Sequence, residues 1–243
     1  MSVLDVVRER GVIRIAVAYS PPPEEGHPPE FFLDRESGEP SGVVPALGRV
    51  MARDLGVQPE YVDLSWPEHM RGLLADRVDL LMSYTPTPER ALEVEFAGRL
   101  LPSEVVMMVP ANSPVHSPKA LEQPGERIGI WHGSSLIHAA RNHFPKAQFL
   151  EFAEPLVALK SGQVEAAVVD AVTTIFMEKN PELRLLRDEN GVLVILAPEY
   201  GHPAVRPGDQ RFLNWINNWL DFHRAQGTIH YWCHTYWRSW MAR

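Results

Sequence analysis

Between Asp79 and Arg90 the chain reads DLLMSYTPTPER, and its polar side chains are of the kinds that grip an anion. Ser83, Tyr84, Thr85 and Thr87 carry hydroxyls, and Arg90 carries a planar fork of N–H donors that matches the two oxygens of a carboxylate. The apolar run before them reads as a buried strand whose C-terminal edge opens into a polar loop, with Pro88, Glu89 and Arg90 starting a helix. Open α/β sheets bind ligands at such edges. On these residues alone two readings stay open: a carboxylate clamp, or an ordinary helix start with a surface arginine.

Other groupings suit chemistry of a different kind. His230, Cys233 and His234 are spaced i, i+3, i+4, which places them on one helical face and invites a metal. A three-ligand zinc site needs a fourth position and a cavity, whereas this helix should pack through its tryptophans, so no metal is expected. The Gly133, Ser134, Ser135 turn lacks the G-x-S-x-G pattern of a hydrolase nucleophile. The sequence holds neither a phosphate-binding loop nor a dinucleotide fingerprint, and no cofactor is expected.

Composition narrows the partners. A chain of 243 residues with 45% hydrophobic and 22% charged residues has material for one large core or two smaller lobes. Its formal charge of -8 argues against nucleic acid and against an anionic membrane surface, while small ligands remain open. With Cys233 as the single cysteine there is no internal disulfide framework. No apolar run reaches the ~18 residues of a membrane span. Met1 to Arg14 (MSVLDVVRERGVIR) carries Asp5, Arg8, Glu9 and Arg10 where a secretory signal needs an apolar core of about 7 to 15 residues. The expectation is a cytoplasmic protein if Met1 is the native start, and a periplasmic one if Met1 has replaced a signal peptide.

The elements that must position the clamp alternate strand and helix. Leu4 to Glu9 is a helix closed by Gly11, Val12 to Ala18 a strand, and Pro21 to Pro29 a loop at that strand's edge. Phe31 to Leu33 and Gly38 to Gly42 form a small hairpin. Pro45 to Leu55, with Leu47, Val50, Met51 and Leu55 at helical spacing, is a helix ended by Gly56. Gln58 to Leu64 and Val78 to Met82 are strands on either side of the helix Met70 to Ala75. The pattern restarts with strands at Glu104 to Val109 and Arg127 to Trp131, then a helix through Arg141. A helix at Glu154 to Ser161 leads to the strand Val164 to Val169 ending on Asp170, a helix from Ala171 and a strand at Val192 to Ala197. Phe212 to Arg224 and Thr228 to Arg243 are helical, and their tryptophans read as packing residues. The fold class is therefore α/β with a mostly parallel sheet, in two lobes joined by two hinge crossings with a ligand cleft between them. Lobe 1 comprises residues 1–103 and 199–243, and lobe 2 residues 104–198.

With these positions in hand, the chain resembles the type 2 periplasmic binding fold of the bacterial extracellular solute-binding proteins, family 3. The branch in question includes polar amino-acid receptors and the cyclohexadienyl (prephenate or arogenate) dehydratases. Leu4 to Ile15 is similar to the family's opening LDxxxxxGxLRV, Asp79 to Arg90 to its D-aliphatic-MS…TxxR, and Gly162 to Asp170 to GxxDAxxxD with Glu165 for the first Asp. Asp209 to Gly227 resembles its C-terminal signature. Ser65 to Asp79 (SWPEHMRGLLADRVD) and the ending WCHTYWRSW lean toward the dehydratase side. The resemblance implies that Arg90, helped by Thr85 and by the backbone and hydroxyls of Ser134 and Ser135, clasps a ligand carboxylate. It implies further that Asp170 accepts from an ammonium or hydroxyl group and that Trp66 walls the cleft.

The chain also departs from that pattern. Gly42, Val43, Val44 and Pro45 replace the receptors' GF(D/E)xD, Ser20 to Pro23 replace an aromatic in the first loop, and Phe96 to Leu100 replace FSxPY. At the position of the dehydratases' proton-donating glutamate stands Thr173, which cannot act as an acid near neutral pH. His132, just before the Gly133 turn, is then the candidate acid, with Asp170 orienting a hydroxyl. Two functions follow as expectations. One is a lyase that eliminates water or a similar leaving group from a small cyclic carboxylate. The alternative is a non-catalytic receptor for an amino acid or small carboxylate, with Thr173 in its ligand site, serving an ABC permease.

Overall fold

The computed structural model describes residues 1–19, 26–34, 36–171 and 181–241, with side chains through Tyr236. The chain divides into two compact units, one of residues 1–102 and 200–243 and one of residues 103–199.

The first unit begins with α1 (Val3–Arg10), which starts at Ser2, whose hydroxyl accepts from the Leu4 amide at 3.2 Å, and ends at Gly11 with φ 75. That left-handed conformation costs a residue without Cβ nothing. β1 (Val12–Val17) is followed by the short strands β2 (Gly26–His27), β3 (Phe31–Leu33) and β4 (Pro40–Ser41), which form a separate antiparallel sheet in that order. The hairpin read from the sequence is thus extended by one strand inside the proline-rich stretch. α2 (Val43–Leu55) buries Val43, Leu47, Met51 and Leu55 against β1, and β5 (Gln58–Asp63) pairs parallel with β1 from Val12↔Gln58 to Val17↔Asp63.

A capping box at Ser65 and Glu68 opens a 3-10 turn at Trp66–Glu68, after which come α3 (His69–Leu74) and β6 (Leu81–Tyr84). β6 starts later than the Val78 expected from the sequence. The amides of Asp79 and Leu80 both donate to the Arg14 carbonyl, which ties this entry to β1 before a ladder begins. The helix expected from Pro88 is another correction: only a 3-10 turn, Arg90–Leu92, forms. Val94 must reach the core at 2% exposure and β7 (Glu95–Phe96) pairs immediately afterwards, so the chain has no length for a longer helix.

The second unit is built on β8 (Leu101–Pro110), β9 (Arg127–Trp131), α4 (Leu136–His143), β10 (Gln148–Phe152), α5 (Pro155–Lys160), β11 (Ala166–Asp170) and β12 (Leu183–Leu185). Its strand order is β10-β9-β11-β8. β9 is parallel to β10 and β11, but β8 runs antiparallel to β11 and to β12, so the sheet is mixed rather than mostly parallel. A β strand that carries the chain in from the first unit enters this sheet without a crossover helix, and an antiparallel neighbour needs none. β10 and β12 were not foreseen from the sequence.

β13 (Ile195–Val205) returns the chain to the first unit, where it pairs antiparallel with β6 at His202↔Tyr84 and with β7 at Ala204↔Phe96. α6 (Gln210–Ala225) and α7 (Thr228–Met241) then close that unit's core with Phe212, Ile216, Trp219, Leu220, Ile229 and Cys233. The helix expected from Ala171 and the loop Ser20 to Pro23 lie outside the described residues.

Candidate ligand-binding site

β6 ends at Tyr84, and the six residues that follow fold back so that Arg90 lies over it. The Arg90 amide donates to Thr87 Oγ1 at 3.2 Å, and Arg90 Nη1 donates to the Thr85 carbonyl at 2.8 Å. Arg90 Cζ stands 4.1 Å from the centroid of the Tyr84 ring. A guanidinium so placed gains from the ring quadrupole and keeps its plane fixed by the ring face. Both residues are buried, and burial raises the Tyr84 phenol above its ordinary value, with Arg90 opposing part of that shift. Tyr84 is therefore a neutral floor beneath the arginine. Thr85 contributes its carbonyl to the arrangement, and Thr87 its hydroxyl.

Around this turn stands an aromatic cluster. The Trp66 ring lies 5.0 Å from His69 and 5.2 Å from Tyr84, and Phe96 stacks on Tyr84 at 6.5 Å. Trp66, expected to wall the site, is thus packed against the same ring that carries Arg90. His69 is buried, its Nε2 3.3 Å from the Val17 carbonyl, and burial pushes its pKa down to about 4. Ser83, on the same strand, donates through Oγ to Glu30 Oε1 at 3.3 Å. Neither His69 nor Glu30 stood out in the sequence: the first sits inside a helix, the second in a proline-rich stretch, and no spacing rule links them to β6.

In the second unit the expected residues line the ends of β9 and β11. His132 is exposed, with Nδ1 2.9 Å from Glu151 Oε2. The Ser134 amide donates to the Trp131 carbonyl at 3.0 Å and its hydroxyl accepts from the Leu136 amide at 3.3 Å, so its backbone is engaged within the turn. Ser135 Oγ donates to Glu199 Oε1 at 2.9 Å. Asp170 is half-buried at the last position of β11, opposite Val105 of β8. Thr173 lies outside the described residues. One group was missed: Glu154, half-buried where the chain leaves β10 for α5, has its carboxyl pushed up to about 7 by burial. Glu165, read as the stand-in for the motif's first Asp, pairs with Arg127, accepting its amide at 2.7 Å. Its work is to join β11 to β9.

The trio on α7 divides. Cys233 is buried in the core, with its thiol pushed up to about 12, while His230 and His234 are exposed with ring centroids 5.9 Å apart. Among the described residues no three His, Cys, Asp or Glu side chains come together to hold a metal. Among them, too, no helix is long and apolar enough to cross a membrane.

The buried Arg90 turn after β6 is carried by an α/β unit that the chain leaves and re-enters. Residues 23–238 match the bacterial extracellular solute-binding proteins, family 3, and the chain belongs to that family. Its fold is the type 2 periplasmic binding fold. The chain is 20% identical over 234 residues to the L-cystine-binding protein TcyJ of Escherichia coli (strain K12), an alignment that covers 93% of this chain and 82% of that protein. It is 23% identical over 236 residues to the cyclohexadienyl dehydratase of Pseudomonas aeruginosa, again covering 93% of this chain and 82% of that protein. Among solved structures it resembles the ancestral amino acid-binding protein AncCDT-1, a precursor of cyclohexadienyl dehydratase, with a TM-score of 0.80 and 26% identity over 97% of this chain and 99% of that one.

Proposed function

We propose that the protein captures an amino acid and presents it to an ABC permease, without chemistry of its own. The observation that carries this is the Arg90 guanidinium fixed by Thr85 and Tyr84, a rigid donor set for a carboxylate. In the same unit Trp66 shields the ligand from water, and in the second unit Ser134, Ser135 and Asp170 are the residues assigned to ligand contact. The names of similar proteins support an amino acid as cargo: L-cystine for TcyJ, and amino acids for AncCDT-1. The family's description as extracellular supports the periplasmic one of the two locations left open by the N-terminal residues. The test is calorimetric titration of the purified chain with the common L-amino acids and L-cystine. Saturable one-to-one binding that Arg90→Ala removes supports the proposal, and silence across the whole panel refutes it.

A second reading, a dehydratase-like lyase, is favoured by the similarity to cyclohexadienyl dehydratase and by one structural observation. The Glu154 carboxyl, with its pKa raised to about 7 by burial, can be protonated when it is needed as an acid. Incubation with prephenate at about pH 6 to 9, following an aromatic product, decides it. Turnover that falls as pH rises through about 7 and is lost in Glu154→Gln supports the lyase, and no turnover across that range rejects it.

A further inference from the structure

The last helix carries two histidines that its packing does not use. α7 lies against α2 and α6, and its inward stripe of Ile229, Trp232, Cys233 and Tyr236 belongs to the first unit's core or packs on it. His230 and His234 each follow a buried member of that stripe by one residue and are exposed. Among the described residues neither ring has a hydrogen-bond partner. Their spacing of four puts them one above the other on the helix, with ring centroids 5.9 Å apart and planes 32° from parallel.

Neutral imidazole is the commonest metal ligand among side chains, and two of them on one rigid helix act as a chelate. Once one nitrogen holds an ion, the second meets that ion at high effective concentration. Two rings that share an ion at about 2.0 to 2.1 Å from each nitrogen would have centroids about 4.5 to 5.5 Å apart, so the observed separation needs only a small turn of two exposed side chains. The backbone is already in place, because Ile229 and Cys233 anchor the same turn from inside. Cys233 itself stays out: it is buried with its thiol pushed up to about 12, whereas a metal takes the thiolate. A closed zinc centre is therefore not what this helix offers. We infer that His230 and His234 form an open surface site for a divalent transition-metal ion, Cu²⁺ or Ni²⁺ in preference to Zn²⁺, with water in the remaining positions. Mg²⁺ and Ca²⁺, which seek oxygen ligands, find none in the pair. An ion held there ties one turn of α7 to the next and stabilises the folded chain by mass action.

The experiment titrates the full, untagged chain with Cu²⁺, Ni²⁺, Zn²⁺ or Mg²⁺ alone, by calorimetry and by thermal unfolding. Ni²⁺ should bind one per chain and raise the unfolding temperature, Cu²⁺ should bind more tightly, and Mg²⁺ should do neither. His230→Ala and His234→Ala should each weaken Ni²⁺ binding by about tenfold or more, because a single imidazole no longer chelates. His143→Ala removes an exposed histidine of α4 and should leave binding as in wild type. Unfolding without metal shows that the variants are folded, and the contrast of Ni²⁺ with Mg²⁺ on wild type needs no variant. Wild type that binds neither Cu²⁺ nor Ni²⁺, Ni²⁺ binding unchanged in either α7 variant, or Mg²⁺ binding as tightly as Ni²⁺ overturns the inference. None of these results bears on the amino-acid reading of Arg90, since no amino acid is present.

Discussion

The central carbon of the Arg90 guanidinium lies 4.1 Å from the centroid of the Tyr84 ring, while Nη1 of the same group donates to the carbonyl of Thr85, five residues earlier. A ring face and a carbonyl together set the plane of the fork, which on the proposed function is what a carboxylate would meet. Lysine keeps the charge but has no plane to set. Arg90→Lys should therefore weaken amino-acid binding by about tenfold or more, and Arg90→Ala by about a hundredfold or more. Tyr84→Leu removes a contact of about 0.5 to 2 kcal/mol and should cost less than either. Calorimetry on the three variants, with unfolding curves to show that each is folded, measures the order.

Asp79 is stationed where two strands meet, and its role is structural. Its side chain is 1% exposed, it pairs with Arg14 at 2.9 Å and with Arg10, and Arg206 stands 3.9 Å away. It also accepts the Arg14 amide at 2.8 Å, and its pairing with Arg14 raises that guanidinium further above its usual value. Removing the carboxylate takes away the partner of Arg10 and the buried acceptor of the Arg14 amide, while Arg14 and Arg206 keep Asp76 at 2.9 and 3.0 Å. Asp79→Ala should lower the stability of the chain by about 3 to 5 kcal/mol in urea unfolding, and Asp79→Asn by less, because it keeps an acceptor.

His69 makes the first unit sensitive to acid. Burial holds its pKa at about 4 in the folded chain against about 6.5 unfolded, so the unfolded chain binds the proton first. The stability tied to neutral His69 is fully present above about pH 6.5 and is lost as pH falls toward about 4, to a total of about 3 kcal/mol. Glu154, whose folded pKa is raised to about 7, works the other way, its stability fading as pH rises from about 4.5 to about 7. Subtracting the pH–stability curve of His69→Gln from that of wild type isolates the histidine. The difference should slope between about pH 6.5 and 4, and a flat difference would show that His69 charges in place.

How far these roles could be read from the sequence depends on the distance over which each is fixed. The hydroxyl-rich stretch ending in Arg90, the helix stops at Gly11 and Gly56, and the strand Arg127–Trp131 are local, and residue type with spacing names them. The family motifs did the same for the fold. What pairing decides was not legible: β10 and β12 are strands because β9 and β8 offer them edges, and β8 turns the sheet antiparallel because of where the chain re-enters. The same holds for the site. Glu30 meets Ser83 across 53 positions of sequence, and Asp79 meets Arg206 across the whole second unit; neither meeting leaves a mark in the residues nearby. The expected helix at Pro88 failed for a related reason, since β13 claims the chain at Glu95 and leaves room for only one turn.

The approach of β13 to β6 supplies the sharpest test of the site's packing. Gly201 passes so close to Ser83 that a Cβ built on it would lie 2.0 Å from Ser83 Oγ and 3.1 Å from Ser83 Cβ. The hydroxyl cannot simply rotate away without releasing Glu30, to which it donates. Gly201→Ala should therefore destabilise the chain by about 1 to 3 kcal/mol, the usual range for overpacking a tight contact. If the clash is with the serine side chain, deleting that side chain should relieve it. In the double variant Gly201→Ala, Ser83→Gly most of the loss should return, so that the two substitutions couple by about 1 kcal/mol or more in a double-mutant cycle. Additive losses would mean that β13 is held by something other than its fit against Ser83. A coupled pair would fix Ser83 as the residue that sets how closely the returning strand lies against the clamp.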